Sequence, residues 1–160
     1  AVRAAPEDPM PRVNLGLLLL ARGEVDPARI ELRRALPHAE GDAAMLQAIG
    51  NGLRRAGDAE LALRALEGAV EAEDPKTPAL RSELALAQYA AGQRDAAETT
   101  LRAVIGDAPT YATAHYLLGT MLVERGATAE GHRHLRRVIE LEPNGPHAQR
   151  ARAQLETRPR

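Results

Sequence analysis

Small and apolar residues recur along the chain with the spacing of one face of an α-helix. In the first such segment Leu15 and Leu19 precede a glycine, Gly23, and a second segment then carries Ala28 and Leu32. Apolar residues three or four positions apart share one helical face, so each segment predicts an amphipathic helix. The pattern therefore predicts pairs of helices, with a glycine between the two members of each pair.

This two-helix pattern occurs four times along the chain, and the steps between equivalent residues are 34, 35 and 34. A fixed period of this length is typical of stacked helix pairs, because one pair cannot bury its apolar face alone. The sequence thus predicts an all-α protein built from four repeats and a capping helix. The expected boundaries are a tail at 1–8, repeats at 9–42, 43–77, 78–111 and 112–145, a capping helix at 146–157 and a tail at 158–160.

Particular residues are expected at the helix ends and in the core. A glycine that ends the first helix of each pair suits the left-handed conformation, in which a side chain would clash. Asp26, Asp58 and Thr128 are candidate N-caps of second helices. Small residues inside the helices are expected to permit close approach, and leucines to fill the space between pairs. The end glycines are Gly23, Gly57, Gly92 and Gly126; the small residues are Gly16, Gly50, Ala85 and Gly119; the leucines are Leu32, Leu66, Leu101 and Leu135.

Composition excludes several classes of function. The 160 residues include 21 basic and 22 acidic side chains, for a net charge of -1, whereas nucleic-acid binders normally carry a basic surplus. Cysteine is absent, which excludes disulfides, thiolate metal sites and thiol catalysis. No apolar run approaches the roughly 20 residues that span a bilayer, and no signal peptide is visible. We expect no nucleic-acid partner and no membrane span, and the compartment stays open between bacterial cytoplasm and periplasm.

The histidines and carboxylates form no recognisable catalytic or metal-binding pattern. His132 and His134 are two positions apart and therefore point to different sides of a helix, so one ion cannot bind both from one face. His115 is expected to pack in the core. No glycine-rich phosphate loop or nucleophile elbow occurs. We expect a protein that is not an enzyme and that holds no cofactor or metal.

The repeated unit resembles the tetratricopeptide repeat, a helix–turn–helix of 34 residues with Leu-Gly, Ala and Pro at set positions. Leu15-Gly16 and Leu118-Gly119 carry the dipeptide, and Pro109 and Pro143 end repeats. The tryptophan of the family pattern is replaced, by Arg12, Leu46, Arg81 and His115. The resemblance implies a right-handed α-solenoid whose first helices line a concave groove that holds a peptide or a partner helix. The stretch from Ala28 to Leu36 is also similar to bacterial repeat proteins of pilus or exopolysaccharide export.

The residues expected to line this groove lie on the side of each first helix that faces away from its own partner helix. Two of the three tyrosines are among them, and tyrosine is enriched at binding hot spots. The alternative is that Tyr89 and Tyr116 only fill space between neighbouring first helices. Arg54 is expected either to pair with an acidic ligand residue or to be a solvated helix end. The candidate residues are Asn14, Leu17, Leu20, Gln47, Asn51, Arg54, Glu83, Leu86, Tyr89, Tyr116, Thr120 and Val123.

Some members of the family clamp the terminal carboxylate of a chaperone, and this chain lacks the residues that such a clamp needs. The matching positions are not basic, and Glu83 would repel a carboxylate. Binding to chaperone C-termini is therefore not expected. The five matching positions are Val13, Leu17, Ala48, Ala79 and Glu83.

Four consecutive leucines, Leu17 to Leu20, make the first helix apolar on all sides. Further repeats upstream, a partner or second copy of the chain, or the N-terminal tail would each explain the surface left uncovered. The predicted function is a non-enzymatic scaffold or adaptor that binds a protein or peptide partner. The alternative is a regulatory or oligomerising region of a longer multidomain enzyme, or a self-assembling scaffold.

Overall fold

The computed structural model describes residues 8–73 and 77–156, and within these ranges the chain forms helices and no strand. The predicted tails lie outside the described residues, apart from Asp8. The prediction of an all-α protein is confirmed. The α-helices are α1 (Met10–Ala21), α2 (Val25–Ala35), α3 (Ala43–Arg55), α4 (Ala59–Ala72), α5 (Pro78–Ala90), α6 (Arg94–Asp107), α7 (Ala112–Glu124), α8 (Thr128–Leu141) and α9 (Pro146–Glu156), and a 3₁₀ turn, Leu36–His38, follows α2.

The helices form two compact units, residues 1–93 with α1 to α5 and residues 94–160 with α6 to α9. The division falls inside the third predicted repeat, 78–111, which contributes α5 to the first compact unit and α6 to the second. In both units the strongest packing joins the two helices of one predicted repeat, α3 with α4 and α7 with α8.

Each first helix ends at a glycine in the left-handed region, as the sequence predicts. Gly57 has a φ of +77°, and the backbone N–H of Asp58 donates to the carbonyl of Leu53 at 2.9 Å, which closes the end of α3. The same Asp58 then caps α4, where its carboxylate accepts from the backbone N–H of Leu61 at 3.4 Å. Its other oxygen pairs with Arg33 of α2 at 2.6 Å. The turn formed by Gly57 and Asp58 thus ends α3, caps α4 and contacts α2.

Two of the three predicted N-caps are wrong. Helix α2 begins at Val25, one residue before Asp26, so Asp26 lies in the first turn and bonds to Arg29 instead of to a backbone N–H. Thr128 is likewise the first residue of α8, and Ala127 occupies the cap position without a side-chain bond. Both helices begin one or two residues earlier than the predicted caps require.

The core of the first compact unit depends on very close helix approach. A Cβ atom on Gly50 of α3 would lie 2.6 Å from Cγ of Leu66 on α4, a distance that no real Cβ tolerates. Leu66 is fully buried, and so are Leu32 of α2 and Leu53 of α3. The predicted roles of the small residues and of the leucines are therefore confirmed in this unit.

The second compact unit packs α7, α8 and α9 in the same way. A Cβ on Gly119 of α7 would lie 3.0 Å from the carbonyl oxygen of Gly131 on α8. Helix α9 covers α8 through Ala148 and Ala151, which are fully buried. The outward side of α9 carries Gln149, Arg150, Arg152 and Glu156, all exposed, as expected of a capping helix.

Candidate polypeptide-binding site

A polar cluster joins α3 to α5 on the predicted groove side of the first compact unit. The side-chain amide of Gln47 donates to Oε2 of Glu83 at 2.8 Å, and the amide of Asn51, one turn further along α3, donates to the same oxygen at 2.7 Å. All three side chains are half-buried. Three residues predicted as separate ligand contacts are therefore bonded to one another.

This cluster fixes the chemistry that a ligand would meet. Both amides use an N–H on one carboxylate oxygen, so their own carbonyl oxygens and the second oxygen of Glu83 are the acceptors left for a ligand. Charge-assisted hydrogen bonds of this kind hold the side chains in place before anything binds. The result is a preformed row of polar groups along α3 and α5, in which each amide also keeps a second N–H.

Arg54 follows Gln47 and Asn51 on the same stripe of α3, because positions i, i+4 and i+7 share one helical face. Its Nε atom is buried and has no hydrogen-bond partner among the described residues. An unsatisfied buried donor costs free energy, and an acceptor on a bound ligand would recover it. Arg54 therefore adds a charged donor to a stripe whose two amides each offer a carbonyl oxygen and a second N–H.

The predicted apolar residues of the first compact unit divide into two groups. Leu17 and Leu20 of α1 are half-buried and pack against the core, and Cδ2 of Leu17 lies 3.4 Å from the point where a Cβ on Gly52 would be. Their main role is thus to join α1 to α3. The second group consists of Leu86 and Tyr89 of α5, which are half-buried. The polar candidate Asn14 of α1 is exposed.

In the second compact unit the predicted groove residues of α7 contact neighbouring helices. The ring of Tyr116 stacks on His147 of α9, with centroids 4.6 Å apart and 23° between the planes. The hydroxyl of Thr120 donates to the side-chain oxygen of Gln154 at 3.2 Å. Val123 turns toward α8, where its Cγ2 lies 2.7 Å from the point that a Cβ on Gly131 would occupy. These contacts favour the space-filling alternative at Tyr116.

A histidine pair that sequence reasoning missed links α7 to α8. The Nδ1 atoms of His115 and His134 are 3.0 Å apart, and Nε2 of His115 lies 3.0 Å from the carbonyl oxygen of Pro109. Because that carbonyl only accepts, Nε2 of His115 donates to it, and the two Nδ1 atoms share one hydrogen bond whose direction depends on the tautomers of the rings. The two residues are 19 positions apart, so no local spacing reveals the pair.

Acidification is expected to destabilise the second compact unit through this pair. Burial lowers the pKa of His134 below the ordinary value of 6.5, and nearby His115 lowers it further. The unfolded chain then binds a proton more readily than the folded chain, so stability is complete above pH 6.5. It falls as the pH drops from 6.5 toward the folded pKa. Thermal unfolding followed by circular dichroism between pH 8 and pH 5 measures the loss.

The matched variant for this measurement is His134→Gln, which keeps a donor and cannot titrate. Its melting temperature should vary less with pH than that of the native protein. An identical dependence in both proteins would show that the pair does not control acid stability. Burial also lowers the pKa of His147, so a smaller dependence of the same sign is expected to remain.

The described residues contain no group of three or more His, Cys, Asp or Glu side chains arranged to hold a metal ion. None of the helices in residues 8–73 and 77–156 combines the length and apolar character that a bilayer crossing needs.

The fold and the face built by α1, α3 and α5 define an α-helical tandem-repeat protein. Two family profiles, each described as a tetratricopeptide repeat, match residues 53–110 and 82–146 and together span more than half of the chain. The chain belongs to the tetratricopeptide repeat family. The predicted fold class, an α-solenoid of antiparallel helix pairs, is thereby confirmed. Repeats of this family are generally non-enzymatic modules that mediate protein–protein interactions.

Solved structures of several repeat proteins are similar to this chain. YrrB, described as a tetratricopeptide repeat protein with an unusual peptide-binding site, has 20% identity and a TM-score of 0.70, over 89% of this chain and 73% of its own. A structure of MamA has 20% identity and a TM-score of 0.70, over 92% and 80%. PilF of Pseudomonas aeruginosa has 20% identity and a TM-score of 0.68, over 93% and 68%. These likenesses concern the fold. No curated protein sequence matches the chain.

Proposed function

We propose that this protein is a non-enzymatic scaffold that binds a segment of a partner polypeptide on the face formed by α1, α3 and α5. The observation that carries the proposal is the polar stripe of α3, where Gln47 and Asn51 are held by Glu83 and Arg54 keeps a buried donor without a partner among the described residues. Such a stripe matches the alternating donors and acceptors of a peptide backbone.

The flanking residues define the kind of segment that fits. Leu86 and Tyr89 on α5 supply half-buried apolar surface, and Tyr89 presents both an apolar ring and a polar tip. Arg54 pairs best with a carboxylate or a backbone carbonyl. The segment is therefore one with an apolar anchor for α5 and an acidic side chain, or a free carbonyl, for the end of α3.

The second compact unit contributes less to binding in this proposal. Tyr116 and Thr120 are engaged with α9, and Val123 contacts α8. A ligand at α7 would have to contact the free edge of the Tyr116 ring or compete with the His147 stack. The main determinants of affinity are therefore expected on α3 and α5.

The biological setting that we propose is a bacterial cell-envelope assembly, such as one for pilus or exopolysaccharide export. Support comes from the sequence of α2, whose pattern is similar to that of bacterial repeat proteins in such machinery. Co-fractionation of the native protein with envelope complexes tests this setting. Recovery only among unrelated complexes would contradict it.

Affinity capture from the native host, with mass spectrometry, tests the binding function. Replacing Tyr89 by alanine should lower recovery of a specific partner by about tenfold or more, as expected when a contact worth about 1.4 kcal/mol is lost. The helical circular-dichroism signal should not change. The matched control is Ile30→Ala, at an exposed apolar position of α2. Equal recovery by all three proteins would contradict the proposal.

A further inference from the structure

Helix α1 carries an exposed apolar stripe that the proposed binding function does not use. Leu15 is 44% exposed and Leu18 is 49% exposed, and Pro11 is exposed one turn before them. Positions i, i+4 and i+7 share one face of a helix, so these three residues form a continuous row, called here the α1 stripe. It lies on the side of α1 opposite the core residues Val13 and Gly16.

The other repeats show that this row is a stacking surface. The equivalents of Leu15 in the second and fourth repeats, Ile49 and Leu118, are fully buried. The equivalent of Leu18 in α3 is Gly52, where a Cβ would lie 2.6 Å from Cδ1 of Leu32 on the preceding helix α2. A second helix from the preceding pair therefore covers this row within the chain. The equivalents of Pro11 are Met45, Leu80 and Ala114, all buried.

We propose that a second copy of this chain covers the α1 stripe, through antiparallel packing of α1 on α1 about a two-fold axis near Leu15. The charges at the ends of the stripe favour this occupant. Asp8 lies at one end and Arg22 at the other, so antiparallel packing brings Asp8 of each copy beside Arg22 of the second copy. A two-fold interface requires this kind of self-complementary surface.

A cleft beside the stripe is placed to receive the second copy. It has a volume of about 440 Å³. In the antiparallel arrangement Leu18 of the second copy lies over Arg12, which forms one wall with Glu31 through an ion pair of 3.4 Å. Apolar contact at the centre and charges of both signs at the edge are the usual layout of a specific interface. The cleft is lined by Asp8, Pro11, Arg12, Leu15 and Glu31.

The opposite end of the chain disfavours head-to-tail stacking. The exposed side of α9 presents Arg150 and Glu156, and removing these charges from water against leucines would be unfavourable. When two α1 stripes pack on each other, both stripes are covered, so the assembly stops at a dimer. The α1 stripe lies on a different side of α1 from Leu17 and Leu20, which pack against the core.

Sedimentation equilibrium of the full chain, at concentrations up to about 1 mM, tests the proposal. The native protein should show a reversible dimer of twice the 17.2 kDa monomer mass. The double variant Leu15→Glu, Leu18→Glu should be monomeric with unchanged helical circular dichroism, because both side chains are exposed. Arg22→Asp, which places two acidic groups together, should weaken the dimer at low salt.

Ile30→Glu is the matched control. Ile30 is 49% exposed on α2, and its equivalents Arg64, Thr99 and Arg133 are exposed as well, so this position is outside the stacking surface. The control should dimerise as the native protein does. A native protein that stays monomeric throughout, or a dimer that survives the double glutamate substitution, would overturn the proposal.

Discussion

Leu66→Ala should lower the free energy of unfolding by about 2–5 kcal/mol, the range for truncating a fully buried leucine that leaves a cavity. Leu66 of α4 is fully buried and fills the space against α3 at Gly50. The surrounding backbone is already in close contact, so it has little room to collapse into the cavity. Urea denaturation followed by circular dichroism measures the loss as a lower midpoint with an unchanged slope.

A double-mutant cycle with Gly50→Ala tests whether close packing of α3 on α4 is the cause of the destabilisation by Leu66→Ala. In the native background the new Cβ would lie 2.6 Å from Cγ of Leu66, so this substitution should destabilise the protein by about 1–3 kcal/mol. Leu66→Ala removes that Cγ atom, and Gly50→Ala should then be less destabilising. The two effects should therefore not add, with a coupling of about 0.5–3 kcal/mol.

Gly106→Ala in α6 is the matched control for a helical glycine. Apart from its chain neighbours and the backbone of its own helix, no atom of the described residues lies within 4 Å of the position of its Cβ, so the added methyl group meets open space. Alanine is the better helix former by about 0.5–1 kcal/mol, and the variant should be more stable than the native protein. Equal destabilisation at Gly50 and Gly106, or exact additivity in the cycle, would contradict the close-packing account.

The sequence predicts the parts of this fold that depend on local backbone chemistry and on a fixed period. Gly57 and the other glycines at helix ends have positive φ because only glycine adopts that conformation without strain, so each one marks a helix end directly. Residues such as Leu66 and Gly50 share a column because every repeat solves the same packing problem. Period and columns thus give the number and order of the helices.

The features that the sequence does not predict depend on contacts between helices. Gln47, Asn51 and Glu83 are correctly expected on one side of the molecule, but their mutual hydrogen bonds depend on the exact distance between α3 and α5. The pairing of His115 with His134 depends in the same way on how α7 packs on α8. Periodicity gives the face on which a side chain lies and not the partner that it finds.

The four consecutive leucines of α1 also show that the sequence does not predict contacts between helices. Their run indicates an apolar helix without a preferred side, whereas the structure places Leu17 and Leu20 against the core and leaves Leu18 exposed. The separation follows from the positions of α2 and α3, the helices that pack against α1.

The second prediction with a large effect concerns which residues of this protein contact the partner polypeptide. A photoreactive side chain placed at Leu86 of α5 or at Asn14 of α1 should form covalent adducts with a partner, because both positions lie on the proposed binding face. The same group at Ile30 of α2 or Arg64 of α4 should form about tenfold fewer adducts, since second helices lie outside that face. All four positions accept the substitution readily, because none is fully buried.

The most direct test of the central claim is therefore the yield of photo-crosslinked adducts at these four positions in native cell extract, compared by mass spectrometry. The account predicts one recurring polypeptide segment attached at positions 14 and 86. Attachment mainly at positions 30 and 64, or an equal yield at all four, would contradict a scaffold that binds its partner through the first helices of its repeats.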